Sequence, residues 1–183
     1  DNTAFIRAAA FYMDRKDIQV KSSKTVARDD GSSAFIAYLG NAATGSNIGV
    51  EIEANWQLDD QIEFYGALGI LDTEFKGFIN ADGKSLDGRQ QAHAPNYQFN
   101  VGINIRPNEQ WLVNFSVDGK DGFYFSDSHN ERSKSVELVN ASLSYLQDNY
   151  QIKLWARNLT DEDYANRGFY FGNDPRDGYT GKQ

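Results

Sequence analysis

The chain has no cysteine, so neither a disulfide framework nor a thiolate metal site is open to it. Only three of its 183 residues are proline, which leaves long stretches free of residues that break a strand ladder. Long hydrophobic runs are missing too. The longest, Ala8 to Met13, falls far short of the roughly 18 residues a membrane helix needs, so no helical transmembrane segment is expected. Positive charge is also in deficit: 18 basic against 26 acidic side chains leave a net charge of −8. Phosphate binding wants a basic face, so nucleic acid is not an expected partner. Asp1 and Asn2 open the chain without a basic-then-apolar leader, so no signal peptide is expected within it.

What is present is aromatic and alternating. Ten Tyr and twelve Phe help raise the aromatic share to 14% in a chain that is polar on average, as in a β protein that keeps one face wet. Tyr97, Phe99, Val101, Ile103 and Ile105 are apolar, and Gln98, Asn100, Gly102 and Asn104 between them are not. The same period of two runs through Ile48–Leu58, Ile62–Ile70, Trp111–Val117, Val139–Tyr145 and Tyr150–Arg157. Helical spacing extends over no useful length. The expectation is an all-β, antiparallel up-and-down meander of about seven strands, the last near Tyr150 to Arg157.

Two kinds of connection separate these strands. Asp59-Asp60, Pro107-Asn108-Glu109 and Gln147-Asp148-Asn149 read as tight turns. Residues 22–33, 75–94 and 126–134, and the stretch from about 168, read as long polar loops. Short turns at one end and long loops at the other are the habit of outer-membrane barrels, and strands of ten or more residues suit a tilted crossing of a bilayer. Trp56, Trp111, Tyr145 and Tyr150 lie near the tight turns on the apolar face, while Tyr97, Phe99, Phe123 and Phe125 lie towards the other end. Two aromatic belts are expected where rings settle at headgroup level. A soluble β-sandwich, such as a carbohydrate-binding module with these rings as core, gives period two as well and stays as the alternative.

Several stretches carry a family resemblance. "NLTDEDYANRGFYFGN" after an amphipathic strand resembles the Asn-Leu-x-Asp-x-x-Tyr elbow ahead of the last strand in TonB-dependent outer-membrane receptors. "AAAFYMDRKDIQV", "GSNIGVEIEANWQL" and "APNYQFNVGINI" are similar to further strands of that family, in its order, over essentially the whole chain. The resemblance implies a C-terminal portion of a 22-stranded transmembrane outer-membrane barrel, residues 1–183, without the plug domain, the TonB box or the closing strand. It implies no enzyme and no cofactor. It implies active import in the bacterial outer membrane of an iron-siderophore, cobalamin or oligosaccharide ligand, energised through the TonB complex. Outer-membrane lipid, the receptor's own plug and a small-molecule or glycan ligand would be the partners.

The residues themselves offer few sites. His93 and His129 lie on separate loops and do not make a metal site. Glu51 and Glu53 share a face and read as lumen lining, together with Asn100, Asn104 and Arg157, rather than as a catalytic pair. Arg89, Arg132 and Arg167, with His129, lie on or near outer loops and suit an anionic ligand, although a solvated loop charge is the commoner role of such residues. "GKDGFYF" lacks the spacing and the following helix of a phosphate loop. An outer-membrane hydrolase would need His129 to meet an acid or a serine on the wall.

Overall fold

The computed structural model describes residues 3–80, 83–127 and 129–168. It has seven strands: β1 (Ala4–Ala27), β2 (Ser33–Gln57), β3 (Ile62–Lys76), β4 (Tyr97–Asn108), β5 (Trp111–Lys120), β6 (Val136–Gln147) and β7 (Tyr150–Ala156). They form one sheet in the order β1 to β7, every neighbouring pair antiparallel. A sandwich needs a second layer, and all seven strands belong to this single sheet. The meander expectation holds, and the sandwich one does not.

Register sorts the two flanks. Trp56 pairs Phe64, and Phe64 pairs Ile103. Ile103 pairs Phe115, which pairs Ala141. One row along, Ile105, Val113, Leu143 and Leu154 follow one another across β4 to β7. Each partner points its side chain the same way as its opposite, so the period of two in every strand adds up to one continuous apolar flank. Among the described residues none of these mid-sheet side chains is buried; Phe115 is 48% exposed and Leu154 69%. On the opposite flank Asn, Ser, Asp and Glu recur, and aromatics cover glycines: Phe11 lies over Gly49 and Tyr65 over Gly102. A Cβ at either glycine would run into the ring above it, so the aromatic fills the place of the missing side chain.

The tight turns fall where the sequence puts them. Asp59 Oδ1 accepts the main-chain N–H of Gln61 and of Ile62, both at 2.8 Å. Asn108 Oδ1 does the same for Gln110 and Trp111, both at 3.1 Å. Short acceptor side chains close these turns by standing in for a main-chain carbonyl. Rings gather on the apolar flank above them, with Trp56 stacked on Phe64 at 5.5 Å and Trp111 tilted on Tyr145 at 4.8 Å.

Residues 22–33 are not a long loop. β1 continues to Ala27 and β2 begins at Ser33, so a 24-residue and a 25-residue strand form one tall hairpin. Its tip is Arg28 to Ser32, where Gly31 takes φ +81° and Asp30 Oδ1 accepts both the N–H and the hydroxyl of Ser32 at 2.9 and 2.6 Å. These hydrogen bonds hold the Asp30 carboxyl below its ordinary value. Part-way up β1, Asp17 has φ +53°, a left-handed conformation that Asp tolerates better than most residues. Above it Ile18 packs against Gly45 on the polar flank, although its parity would place it on the apolar one. There Ile18 and Val20 meet Phe75, Phe78 and Leu86 in a small buried core.

Candidate functional site

The polar flank carries the residues expected to line a lumen. Glu51, Glu53, Asn100, Asn104 and Arg157 all have the parity of this flank, opposite the apolar rows. Two carboxylates organise it. Glu63 accepts from Asn55 at 2.6 Å and from Asn104 at 2.8 Å, with the Arg106 guanidinium 3.7 Å away. Asn104 in turn accepts from Asn114 at 2.8 Å, and Asn114 also reaches the Tyr65 hydroxyl at 2.9 Å. Higher up, Asp118 accepts from Asn100 on one side and Asn140 on the other, each at 2.6 Å. Amide donors on the flanking strands thus meet each acid, with Arg106 as an added ion-pair partner of Glu63. The Arg7–Glu53 pair, 3.4 Å apart and exposed on both sides, adds little.

Glu51, Glu53, Asn100, Asp118, Lys120 and Tyr164 line an open hollow of about 580 Å³ on this flank. A second, of about 540 Å³, is bordered by Asn114, Asn140, Lys153, Trp155 and Arg157. Arg157 sits 5.2 Å from the Trp155 ring centre. Tyr164 reaches the first hollow because of the elbow that follows β7. Asn158 and Asp161 take φ +54° and +55°, and the Asn158 side chain accepts from the Glu162 N–H at 2.9 Å and donates to the Glu162 carbonyl at 3.1 Å. The Asn158 N–H donates to Asn140 Oδ1, and the Leu159 N–H to the Val139 carbonyl. The "NLTDE" run is therefore a self-closed turn, and it swings the chain across the polar flank. Lys120 Nζ then donates to Asn166 Oδ1 at 2.6 Å and stands 5.7 Å from the Tyr164 ring centre. The aromatics from Phe169 onward, and the closing "YTGKQ", lie outside the described residues.

At the loop end the structure brings Arg89, His129 and Arg132 into one cluster. Arg89 Cζ lies 3.9 Å, and Arg132 Cζ 4.6 Å, from the centre of the Tyr124 ring. Arg89 donates to Asn130 Oδ1 at 2.8 Å, to the Ser126 carbonyl at 3.3 Å and to the His129 carbonyl. Partial burial pulls its guanidinium below the usual arginine value, with Arg132 adding to the effect. Arg132 donates to the Gly122 carbonyl at 2.9 Å and to Gln90 Oε1 at 3.3 Å. Arg167 is exposed beside Gly168, which lies against the Phe125 ring. Phe123, expected in an aromatic belt, is instead buried: its ring meets Phe125 edge-on at 5.7 Å and His93 at 5.3 Å.

His129 Nδ1 lies 3.0 Å from Ser126 Oγ, a Ser–His contact with a catalytic look. That hydroxyl oxygen also accepts the His129 main-chain N–H at 3.0 Å, so the pair is a local turn three residues long. No group of three or more metal-ligating side chains occurs among the described residues. Asp118, Lys120, Tyr124 and Tyr164 are prominent here although their roles were not evident in the sequence. Asp118 and Lys120 share the parity of Asn114 and Ser116 in β5, which was the available signal; Tyr124 and Tyr164 depend on loop docking.

Comparison with known proteins gives this geometry its family. Residues 1–159 match the family described as TonB dependent receptor-like, beta-barrel. The structure is similar to the ferric yersiniabactin uptake receptor FyuA from Yersinia pestis, with a TM-score of 0.73 at 20% identity over 95% of this chain and 25% of that one. It is also similar to the siderophore receptor PiuA from Acinetobacter baumannii, with a TM-score of 0.66 at 20% identity over 90% and 23%. This chain spans about a quarter of the length of each, and at such identity the likeness is one of fold. With the family matched over most of its length and all seven strands in one meander, the chain belongs to the TonB-dependent receptor β-barrel family.

Proposed function

We propose that this chain is wall, turns and outer loops of an outer-membrane active-transport receptor. The observation that carries the reading is the unlike character of the two flanks: one continuous apolar surface that the described residues leave uncovered, and one hydrogen-bonded polar surface with open hollows. Hydrocarbon would meet the first, and a water-filled or plugged lumen the second. Glu51, Glu53, Asn100, Asn104 and Arg157 would then face a plug domain. Pulled by the TonB complex, that plug would release ligand inward without any bond being cut.

The ligand would bind at the loop end, where Arg132 lies against the Tyr124 ring and, with Arg167 and His129, suits an anionic chelate. Arg89 would contribute chiefly by holding loops, since its guanidinium already serves three acceptors. The names of the two similar receptors favour an iron-siderophore over cobalamin or an oligosaccharide. The test is uptake of radiolabelled iron chelates by cells that carry the complete receptor, with and without TonB. TonB-dependent accumulation of at least one chelate supports the reading; binding without TonB-dependent uptake of any chelate, cobalamin or oligosaccharide overturns it.

A further inference from the structure

The β3–β4 loop is tied to two different bodies. Its first part, residues 77–80 and 83–87, is a small arm closed by Asp87, whose Oδ1 accepts the N–H of Gly77 at 2.5 Å and of Phe78 at 3.2 Å. Phe78 and Leu86 plant this arm in the core beside Ile18, Val20 and Phe75. Its later part meets the β5–β6 loop. The Ala92 N–H donates to Asp127 Oδ1 at 2.8 Å, and the His93 N–H to the Tyr124 carbonyl at 3.0 Å.

Arg89 stands at the join. Its main chain belongs to the first body: its carbonyl accepts the Phe75 N–H at 3.0 Å, and its N–H donates to the Leu86 carbonyl at 3.0 Å. Its side chain belongs to the second, with one nitrogen on Asn130, the other on the carbonyls of Ser126 and His129, and the cation over Tyr124. The hydrogen-bond partners among these lie 37 to 41 residues further along the chain. A planar fork can serve acceptors at both tips while its face lies on a ring; an ammonium cannot.

We infer that Arg89 pins the β3–β4 and β5–β6 loops into one moving body, so that this side of the outer mouth opens and closes as a unit rather than loop by loop. The coupling stands on the contacts themselves; its use as a gate for ligand rests on the receptor reading above. Arg89 is thus a positioning residue, and its removal acts on a loop it touches only through its side chain.

Hydrogen exchange by mass spectrometry on the complete receptor in detergent micelles, with no ligand added, tests this. Arg89→Ala should speed exchange about tenfold or more both at His93 and at Phe125 and Ser133, whose amides donate within the docked β5–β6 loop. Exchange in β4 and β5 should stay as in the wild type, which shows that the barrel has folded. Arg89→Lys should behave like Arg89→Ala, because charge without the fork does not span the join. The milder Asn130→Ala, which removes one acceptor, should give a smaller increase on both loops together. Faster exchange confined to residues 89–93, or a wild-type profile in Arg89→Lys, would overturn the inference. Either result leaves TonB-dependent uptake to be judged separately.

Discussion

The loop end and the middle of the sheet treat apolar side chains in opposite ways. At the loop end Ile18, Val20, Phe75, Phe78, Leu86, Phe123 and Val136 are all buried, Phe78 to 2% exposure. In mid-sheet Val101, Phe115 and Leu143 lie open on the apolar flank, at 47%, 48% and 38%. The residue types are the same, and on the receptor reading what differs is the medium. Loops that stand in water must make their own core to repay the entropy of being ordered. A sheet whose flank meets hydrocarbon gains nothing by covering it and stays one layer thick. Asp17 marks the crossover: below it the even positions of β1 join the apolar flank, and above it Ile18 is turned into the loop core.

Five substitutions in the complete receptor would break or sharpen this contrast. The largest effect is expected for Phe78→Ala, since truncating a fully buried Phe costs about 3–5 kcal/mol. The loss should be local, seen as faster amide exchange at Asn80 and Leu86 with β4 to β6 unchanged; global unfolding would mean that the two regions share a core. Next is Ile103→Arg, which puts a charge in the middle of the apolar flank and should cost about 2–4 kcal/mol in denaturant titrations in bilayers. Gln98→Arg, on the polar flank of the same strand, should stay within about 0.5 kcal/mol. Equal costs for these two would erase the distinction between flanks.

Gly102→Ala is smaller. Its Cβ would meet the Tyr65 ring and the Phe115 carbonyl, an overpacking that costs about 1–3 kcal/mol in the same titration. The smallest change is at the hairpin tip. The Asp30 carboxyl is held below its ordinary 3.8, so its contribution is complete above that value and fades as pH falls through the lowered one. Protection of the Ser32 amide should therefore drop only in strong acid, and Asp30→Ala should show the low-protection state at neutral pH.

Much of the sheet was legible because a strand with one apolar flank writes its register into the order of residues. Tyr97 to Ile105 is the clearest case, and the acceptor side chains of Asp59 and Asn108 mark their turns in the same local way. The tall hairpin was not legible: Lys21-Ser22-Ser23-Lys24-Thr25 is polar in both registers, so it reads as a loop although it pairs with β2 along its length. An extension in water needs ladder hydrogen bonds but no apolar flank. Phe123 misled for the opposite reason, since an aromatic near a strand end fits a membrane belt as well as a loop core. The shared flank of Glu51, Glu53, Asn100 and Asn104 followed from parity. Arg89 did not, because its partners are some forty residues away and nothing near it in the chain distinguishes a loop pin from a solvated charge.

Depth-resolved quenching tests the division of flanks most directly. A single cysteine bearing a fluorophore or spin label would be placed, one at a time, at Ile103, Val113 and Leu143 and at Asn104, Asn114 and Ser142, in the complete receptor reconstituted in bilayers. The account predicts that lipid-borne quenchers reach the first three positions and barely touch the second three. Shielding of Ile103, Val113 and Leu143 from lipid, with either water or packed side chains around them, would contradict it.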